Sequence, residues 1–463
     1  MTTFTTPQSV KSAWHSRMSS MAKTTDVRRQ VIEARERMID LALVDGIPNT
    51  RNEEWKYTSL RLVLDGQFDL GVLADIPVAK PSQMLVNVVA QRLAPDAIPL
   101  VFVDGRLDLA WPGSEALDPQ WFRSLSQAEI QEEASWWDQW QSENGMNQIF
   151  AGLSAAMACD GAVITLQRRQ TLKRPIHIVH LTTKVHPSQT RINRVLISVP
   201  ESARIRVYEE FFALSDDGLR LENKLENRLH APTWTMPLTQ LRLGPLADCG
   251  YYRIVDAAAS YHTGTITASL ERGSRLETFS LTAGAKLARV NLDVRYTALD
   301  AECILDGLYL VNDGEHVDHH TAVEHLVGHC RSHQLYKGIL AGKSRAVFNG
   351  KVFIRKDAQS TEAYQTNKNL MLSPDAEVDT KPQLEIDADD VKASHGAAIG
   401  TIDPMELFYL QSRCIGRAEA MAMLCRGFAD EVVMRVVDQD AKAVLGRRVA
   451  AWFNTLAESG VKP

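Results

Sequence analysis

Two patterns of apolar residues divide the chain. Over residues 161–400, short runs rich in branched and aromatic residues follow one another, which is typical of strands. Over 26–44 and 403–452, apolar residues recur at helical intervals. The second helical stretch begins at Asp403 and Pro404, a capping residue followed by one suited to the first helical position, and breaks are expected near Gly416 and Gly427. The pattern predicts a mainly β protein with three parts: a mixed, mainly helical N-terminal region, a β core and a C-terminal helical domain, over residues 1–150, 151–400 and 401–463. Within the first part, a short strand is expected over 100–103.

The end of the β core carries polar residues at alternate positions. Gln365, Asn367 and Asn369 share one parity of a predicted strand, so they face the same side of a sheet. An inward-facing row of amides needs hydrogen-bond partners, and stacked coils supply them. Many short strands with a loose repeat also fit a sandwich or a propeller, and periodicity alone does not choose among these folds.

Composition narrows the classes of function. The 463 residues carry a formal net charge of -6, which argues against a broad nucleic-acid-binding face. We see no apolar run near the roughly 20 residues of a membrane span, and the polar N-terminus does not resemble a secretory signal. We therefore expect a cytoplasmic protein that binds neither nucleic acid nor membrane. The cysteines lie apart without a CxxC pair, which favours reduced, buried thiols for most of them; they are Cys159, Cys249, Cys303, Cys330, Cys414 and Cys425.

A glycine-rich stretch over 338–344 (GILAGKS) resembles a nucleotide-binding loop. That loop needs four residues between its first glycine and the Gly-Lys-Ser, whereas this stretch has three and is followed by a predicted strand. The stretch therefore predicts a turn between strands, and we expect no nucleotide binding by this chain.

A histidine-rich segment over 316–333 is the main candidate for metal chemistry. Residues two apart share a face of a strand, so His316, Asp318 and His320 can converge. They form either a row of hydrogen-bonded side chains or a transient Fe(II) site, because imidazole and carboxylate are plausible ligands for that ion. A zinc-hydrolase helix is not expected, since the histidine pair spaced by four residues lacks the adjoining glutamate.

Four blocks of sequence, in order along the chain, resemble the SufD family of iron–sulfur cluster assembly proteins. The first, RNEEWKYT over 51–58, is close to the family wording R-x-E-E-W-K-Y-T. The others are QLYKGIL over 334–340, the stretch over 365–396 that ends in Ser-His-Gly, and LFYLQSR over 407–413. The first block and the wording over 380–386 resemble SufD rather than its paralogue SufB.

The resemblance implies a right-handed parallel β-helix as the core. It also implies a non-enzymatic subunit of the SufBCD complex, which pairs with SufB, docks the SufC ATPase and assists iron entry and cluster assembly at the SufB–SufD interface. No tightly bound cofactor is expected, only transient iron or a cluster shared with SufB. A homodimer is a possible form of the isolated chain.

Few residues carry this implied function. His395 matches the histidine of the family's Ser-His-Gly motif and is the candidate iron ligand facing SufB; the alternative is a buried histidine that stabilises the last coil. Ala393 stands where many relatives have cysteine. The C-terminal helices are implied as the SufC dock, or as a cap on the β-helix, and the residues assigned to the dock are Pro404, Leu407, Phe408, Tyr409, Leu410 and Arg413.

Two other functions stay open at the level of sequence. A metal-dependent β-helical hydrolase or lyase would use the histidine cluster over 316–333, and it would bind metal tightly in the isolated chain. A purely structural homodimer would bind no ATPase.

Overall fold

The computed structural model describes residues 6–21, 26–65, 68–70, 81–127, 136, 149–158, 160–183, 189–214, 233–256 and 260–458. Cys159 lies outside the described residues. The helices they contain are α1 Pro7–Met21, α2 Asp26–Ala42, α3 Arg61–Asp65, α4 Gln83–Arg92, α5 Ile149–Met157, α6 Pro404–Gln411, α7 Arg417–Val433 and α8 Gln439–Glu458.

Strands occupy most of the chain between α4 and α6. The first strands are β1 Ile98–Val103, β2 Arg106–Leu107, β3 Phe122–Ser124, β4 Asp160–Thr165, β5 Ile176–Thr182, β6 Thr190–Arg191, β7 Asn193–Val199, β8 Arg204–Ala213, β9 Trp234–Thr235 and β10 Leu238–Leu243. They are followed by β11 Asp248–Asp256, β12 Tyr261–Leu270, β13 Arg275–Ala283, β14 Leu287–Tyr296, β15 Glu302–Val311, β16 His316–His325, β17 Arg331–Leu340, β18 Arg345–Ile354, β19 Thr361–Met371, β20 Glu377–Ile386 and β21 Val391–Gly400.

The strands form two sheets in which alternate strands of the chain are neighbours. One runs β2-β1-β5-β8-β11-β13-β15-β17-β19-β21, and the other runs β20-β18-β16-β14-β12-β10-β7-β4-β3, with β6 and β9 beside it. From β5 onward the pairs within the first sheet are parallel and in register. A chain that alternates between two parallel sheets is a parallel β-helix, so the predicted mainly β fold is confirmed.

Side chains alternate between the lumen of the β-helix and its outside. Most of the lumen is filled by a continuous apolar core, with residues such as Ile205, Leu276 and Val323 fully buried. Near the C-terminal end the lumen becomes polar. There Asn369 donates to Asn367 at 2.7 Å, and Asn367 donates to the hydroxyl oxygen of Tyr309 at 3.0 Å. The prediction that stacked coils supply partners for the amide row is confirmed.

Of the N-terminal helices, α1, α2 and α5 pack on the outer face of the second sheet, whereas α4 packs on β1, β5 and β8 of the first sheet. α2 and α5 pack on one another and share a core with the second sheet. Phe150 of α5 meets the ring of Trp234 edge-on at 5.7 Å, and Phe68 meets Tyr261 at 5.4 Å. The predicted short strand near residue 100 is present as β1, which joins the first sheet beside β5.

The C-terminal helices lie along the outer face of the first sheet. The carboxylate of Asp403 accepts from the amide of Met405 and Pro404 follows, so the predicted helix start is confirmed. A break at Gly416 is also confirmed, but the break expected near Gly427 is wrong because α7 continues through it. A turn is present over 341–344, with Gly342 at a φ of 59°, but the first residues of the stretch predicted as a turn, 338–340, belong to β17. Among the described helices, we find none with the length and apolar character needed to cross a bilayer.

Candidate functional site

The two ends of the β-helix differ. At its N-terminal end, antiparallel strands cover the edges: β2 pairs with β1, and β3 pairs with β4. At its C-terminal end, β21 pairs with β19 and β20 pairs with β18, and in the part of the chain that the structure describes no further strand follows either. Most of β21 is exposed. This open end, defined as β20 and β21, presents unpaired backbone donors and acceptors on both sheets.

His395 lies in the middle of the open end. It pairs in register with Gln365 on the neighbouring strand, and Gln365 faces the lumen. His395 therefore stands at a lumen-facing position of the last coil, but it is exposed because no coil is stacked above it in the described chain. The alternative of a buried histidine is wrong. Ala393, two residues earlier, packs against the apolar core and supplies no donor atom.

The face shared by His316, Asp318 and His320 is on the outside of β16. The structure does bring the three side chains together, as alternation predicts. The Nε2 atom of His320 lies 2.9 Å from an Asp318 carboxylate oxygen, and His316 is linked to Asp318 through the hydroxyl of Thr58. The sequence did not indicate that the N-terminal segment over 53–58 lies on this face.

Arg289 occupies the centre of that cluster. Its guanidinium lies 3.1 Å from Asp318 and 3.2 Å from the Nδ1 atom of His320, and it stacks 3.7 Å from the ring centre of Trp55. It also donates to the backbone oxygen of Glu54 at 2.6 Å. A buried cation therefore already joins the histidine face to the N-terminal segment, and we name this network the Arg289 clamp.

The electrostatics of the Arg289 clamp follow from its burial. Burial alone would raise the pKa of Asp318, but the charges of His320 and Arg289 and the hydrogen bonds from His320 and Thr58 hold it well below its usual value. Burial likewise opposes the ionisation of Glu54, yet its bonds with His320 and Lys351 lower the pKa of Glu54 to about 2. Both carboxylates are therefore charged at neutral pH and compensate the buried guanidinium.

These contacts bear on the iron hypothesis for this face. Among the residues that the structure describes, no group of three or more His, Cys, Asp or Glu side chains is arranged to hold a metal ion. A divalent ion between His316, Asp318 and His320 would sit beside the Arg289 guanidinium, which repels it. The arrangement favours the hydrogen-bonded interpretation of the histidines. Iron binding here stays a prediction.

The remaining histidines of the 316–333 segment do not converge on one site. His319 and His325 point into the lumen, where burial lowers their pKa values to about 4 and about 3. His329 lies in a turn with a φ of 59°, and His333 stacks on Tyr364 in the other sheet. Alternation along the strands thus separates side chains that are close in sequence.

The helix α6 carries most of the predicted dock. Leu407 is buried against α7 and Leu410 is partly buried, so these two residues stabilise the helix pair. Phe408 is 64% exposed, Tyr409 is also exposed, and Arg413 lies 4.5 Å from the centre of the Tyr409 ring. Pro404 is exposed at the first turn.

The exposed apolar face of α6 includes a residue that the sequence did not indicate. Met405 is 70% exposed and shares a face with Phe408 and Tyr409, since the three are spaced by three and four positions. Met423 of α7 is exposed as well. We call Met405, Phe408 and Tyr409 the α6 patch. The spacing was visible in the sequence, but it could not show which of two apolar faces packs on the protein.

Comparison with known proteins decides the family. Residues 180–428 match the family described as SUF system FeS cluster assembly, SufBD core domain. The iron-sulfur cluster assembly protein SufD of Escherichia coli is 30% identical over 410 residues, which cover 87% of this chain and 89% of that protein. This chain belongs to the SufD family. An iron-sulfur cluster assembly SufBD family protein of Synechocystis is 29% identical over 88% of this chain and 87% of its own length, and protein ABCI7, chloroplastic, of Arabidopsis thaliana is 29% identical over 64% and 61%.

The structure shows where the four sequence blocks that resemble the SufD family lie. The block over 51–58 is the segment held by the Arg289 clamp, and the block over 334–340 is the lumen-lining strand β17. The block over 365–396 is the open end and the coil beneath it, and the block over 407–413 is α6 with the turn after it. In this SufD-family chain, one block is therefore held against the β-helix, one lies within it, and the other two include exposed surfaces.

Proposed function

We propose that this chain is the SufD-like scaffold subunit of a SufBCD iron–sulfur cluster assembly complex and is not itself an enzyme. One observation carries the proposal: the β-helix is covered at its N-terminal end and open at its C-terminal end. Edge strands of ten residues with unpaired backbone groups suit pairing with another chain. A second β-helix, that of SufB, would continue both sheets across the joint.

We then assign iron binding to the interface between this β-helix and that of SufB, the joint. His395 is exposed at the open end, and a neutral imidazole is a good ligand for iron. Because Ala393 lacks the sulfur that many relatives carry, His395 would act with ligands from SufB. Iron, or a nascent cluster, is cargo shared with that partner, and tight binding by this chain alone is not expected.

The α6 patch is the proposed contact with the SufC ATPase. Exposed aromatic and methionine side chains on one helix face are typical of residues that enter a partner's groove. The helices α7 and α8 lie along the side of the β-helix and leave the open end uncovered.

Co-purification with SufB and SufC tests both contacts. Ile399→Asp places a charge in the open end and should abolish SufB binding, whereas Leu299→Asp, at an exposed leucine in a turn of the coil, should not. Phe408→Asp should abolish SufC binding alone, with Leu109→Asp as its control. Failure of the unaltered chain to bind either protein would refute the proposal.

The iron role needs a separate measurement. In complexes that assemble normally, His395→Ala should lower the yield of cluster measured by visible absorption and by acid-labile sulfide. An unchanged yield would show that His395 is not a ligand. Light scattering of the isolated chain tests the expected homodimer, and the Ile399→Asp variant should then be monomeric. The cytoplasmic location expected from the sequence stays a prediction.

A further inference from the structure

Gln365 lies directly beneath His395 in the stack of coils. The two residues are register partners on β19 and β21, so their side chains stand on the same face of the sheet at about the strand spacing of 4.8 Å. Gln334 on β17 lies beneath Gln365 in the same column. His395 therefore ends a column whose two preceding members are buried amides.

The amide of Gln365 is hydrogen-bonded to the amide beneath it. Its Nε2 atom donates to Oε1 of Gln334 at 2.8 Å, and Nε2 of Gln334 donates to the hydroxyl of Thr321 at 2.7 Å. Gly350 on the opposite sheet makes room for it, because a Cβ atom at that position would overlap the Gln365 amide. The side chain is 1% exposed. Rotating the Gln365 amide alone would set its oxygen against the Gln334 oxygen, so this amide can turn only together with that of Gln334; the structure assigns the row the orientation in which the Thr321 hydroxyl accepts.

This orientation leaves one acceptor free. The Oε1 atom of Gln365 is buried and has no hydrogen-bond partner among the residues that the structure describes. A buried carbonyl oxygen without a donor is rare in folded proteins. The next residue of the column is His395, whose ring has one N–H and one lone pair when neutral. The row Thr321, Gln334 and Gln365 thus presents an acceptor toward that ring.

We propose that Gln365 is a positioning residue for His395: its Oε1 atom accepts the ring N–H, fixes the tautomer and leaves the other ring nitrogen to bind iron at the joint. A histidine ligand needs this second bond, since it sets which nitrogen carries the lone pair and holds the ring plane. The proposal rests on the proposed iron role of His395, but the hydrogen bond requires only that the exposed His395 ring turn toward Oε1, and it needs neither iron nor SufB.

The hydrogen bond is tested by nitrogen NMR of the full chain labelled with ¹⁵N at histidine rings, with His395→Ala used for assignment. In the unaltered protein the two ring nitrogens of His395 should give well-separated signals, one protonated and one not. Gln365→Met keeps the length of the side chain and removes the acceptor, so the two signals should move toward their average. Gly350→Ala should have the same effect, because it displaces an unaltered Gln365 amide.

Asn369→Leu is the matched control. It removes a buried amide from the same strand and the same face, but it lies beneath Ile399 rather than His395. Thermal unfolding should show that all variants are folded. The inference is overturned if the His395 signals are unchanged in folded Gln365→Met and Gly350→Ala, or if Asn369→Leu shifts them equally.

Cluster assembly with SufB and SufC gives an independent readout. Loss of the positioning bond should lower the initial rate of cluster formation roughly 10-fold, as for other residues that hold a metal-binding histidine. If Gln365→Met shifts the His395 signals while His395→Ala leaves the cluster yield unchanged, the iron role is refuted and the hydrogen bond is supported. If His395→Ala abolishes the cluster and Gln365→Met alters neither signals nor rate, the positioning role is refuted alone.

Discussion

Replacing Asp318 with asparagine should detach the N-terminal segment over 53–58 from the β-helix. Asp318 is fully buried and bonds both Arg289 and the hydroxyl of Thr58, which accounts for much of the contact between β16 and that segment. Arg289 in turn stacks on Trp55. The variant keeps the shape of the side chain but leaves the buried guanidinium without one of its carboxylates.

The magnitude follows from the geometry. At 3.1 Å, the separation of the guanidinium and the Asp318 oxygen, two unit charges in an effective dielectric of 20 interact by about 5 kcal/mol. The asparagine oxygen still accepts one hydrogen bond, which returns part of this energy. Removing one partner of a buried pair typically costs 3–5 kcal/mol, and we expect about 3 kcal/mol here. At a factor of ten for every 1.4 kcal/mol, the segment should open roughly 100-fold more often.

Hydrogen exchange followed by mass spectrometry measures this opening directly. Peptides over 53–60 should exchange roughly 100-fold faster in Asp318→Asn than in the unaltered chain, while peptides from β17 should not change. Glu385→Gln is the control: its partner Arg355 lies at the same 3.1 Å, but the Glu385 side chain is 60% exposed. An exposed pair of this kind contributes about 1 kcal/mol or less.

Acid adds a second expectation for the same variant. The neighbouring cations hold the pKa of Asp318 below its value in the unfolded chain, so its contribution is complete above about pH 4 and is lost as the pH falls further. The unaltered segment should therefore open more readily on acidification, and Asp318→Asn should lack this component. The reasoning is refuted if Asp318→Asn and Glu385→Gln change exchange over 53–60 by the same small factor.

Three further outcomes are expected. Tyr309→Phe removes the hydroxyl that donates to the side-chain oxygen of Asn369. Because this buried amide oxygen loses its donor, the free energy of unfolding, measured in urea, should fall by about 1–3 kcal/mol. Asp293→Asn should flatten the pH dependence of thermal unfolding: burial raises the pKa of Asp293 to about 7, so the folded chain holds an extra proton between about pH 4 and 7 and loses stability as the pH rises through that range. Lys337→Met should weaken the attachment of α7 to β17, since the buried ammonium of Lys337 donates to the backbone oxygen of Phe428 at 2.8 Å and pairs with Glu431. Hydrogen exchange in α7 should then become faster, and unchanged exchange would refute this role of Lys337.

The local parts of the fold were predictable because they depend on neighbours in sequence. Alternation placed Gln365, Asn367 and Asn369 on one face, and capping chemistry placed the start of α6 at Asp403. What alternation cannot give is the separation of consecutive strands into two sheets. That separation depends on where each turn directs the chain, and it places His333 in a different sheet from the histidines of β16.

The sequence predicted which residues of the histidine face lie together, but it did not predict which other residues they contact. Alternation correctly put His316, Asp318 and His320 on one face, but the hydroxyl that bonds Asp318 belongs to Thr58, which is 260 positions away in the chain. The segment around Thr58 was visible only as a family motif. Its charged residues gave no signal of burial, because acidic and basic residues are mostly exposed unless a partner compensates them.

The lysines on the two edge strands of the open end bear on whether another chain can pair with these strands. Exposed edges in soluble proteins are commonly protected by lysines, whose charge discourages pairing with another strand. Both edge strands here carry one, but Lys381 pairs with Glu53, and Lys392 pairs with Glu362 at 2.9 Å. Their charges are thus compensated within the chain and protect the edge less than free lysines would. Two ten-residue edges whose lysines are paired within the chain, next to an exposed histidine, are the features on which the proposed pairing with a second β-helix rests.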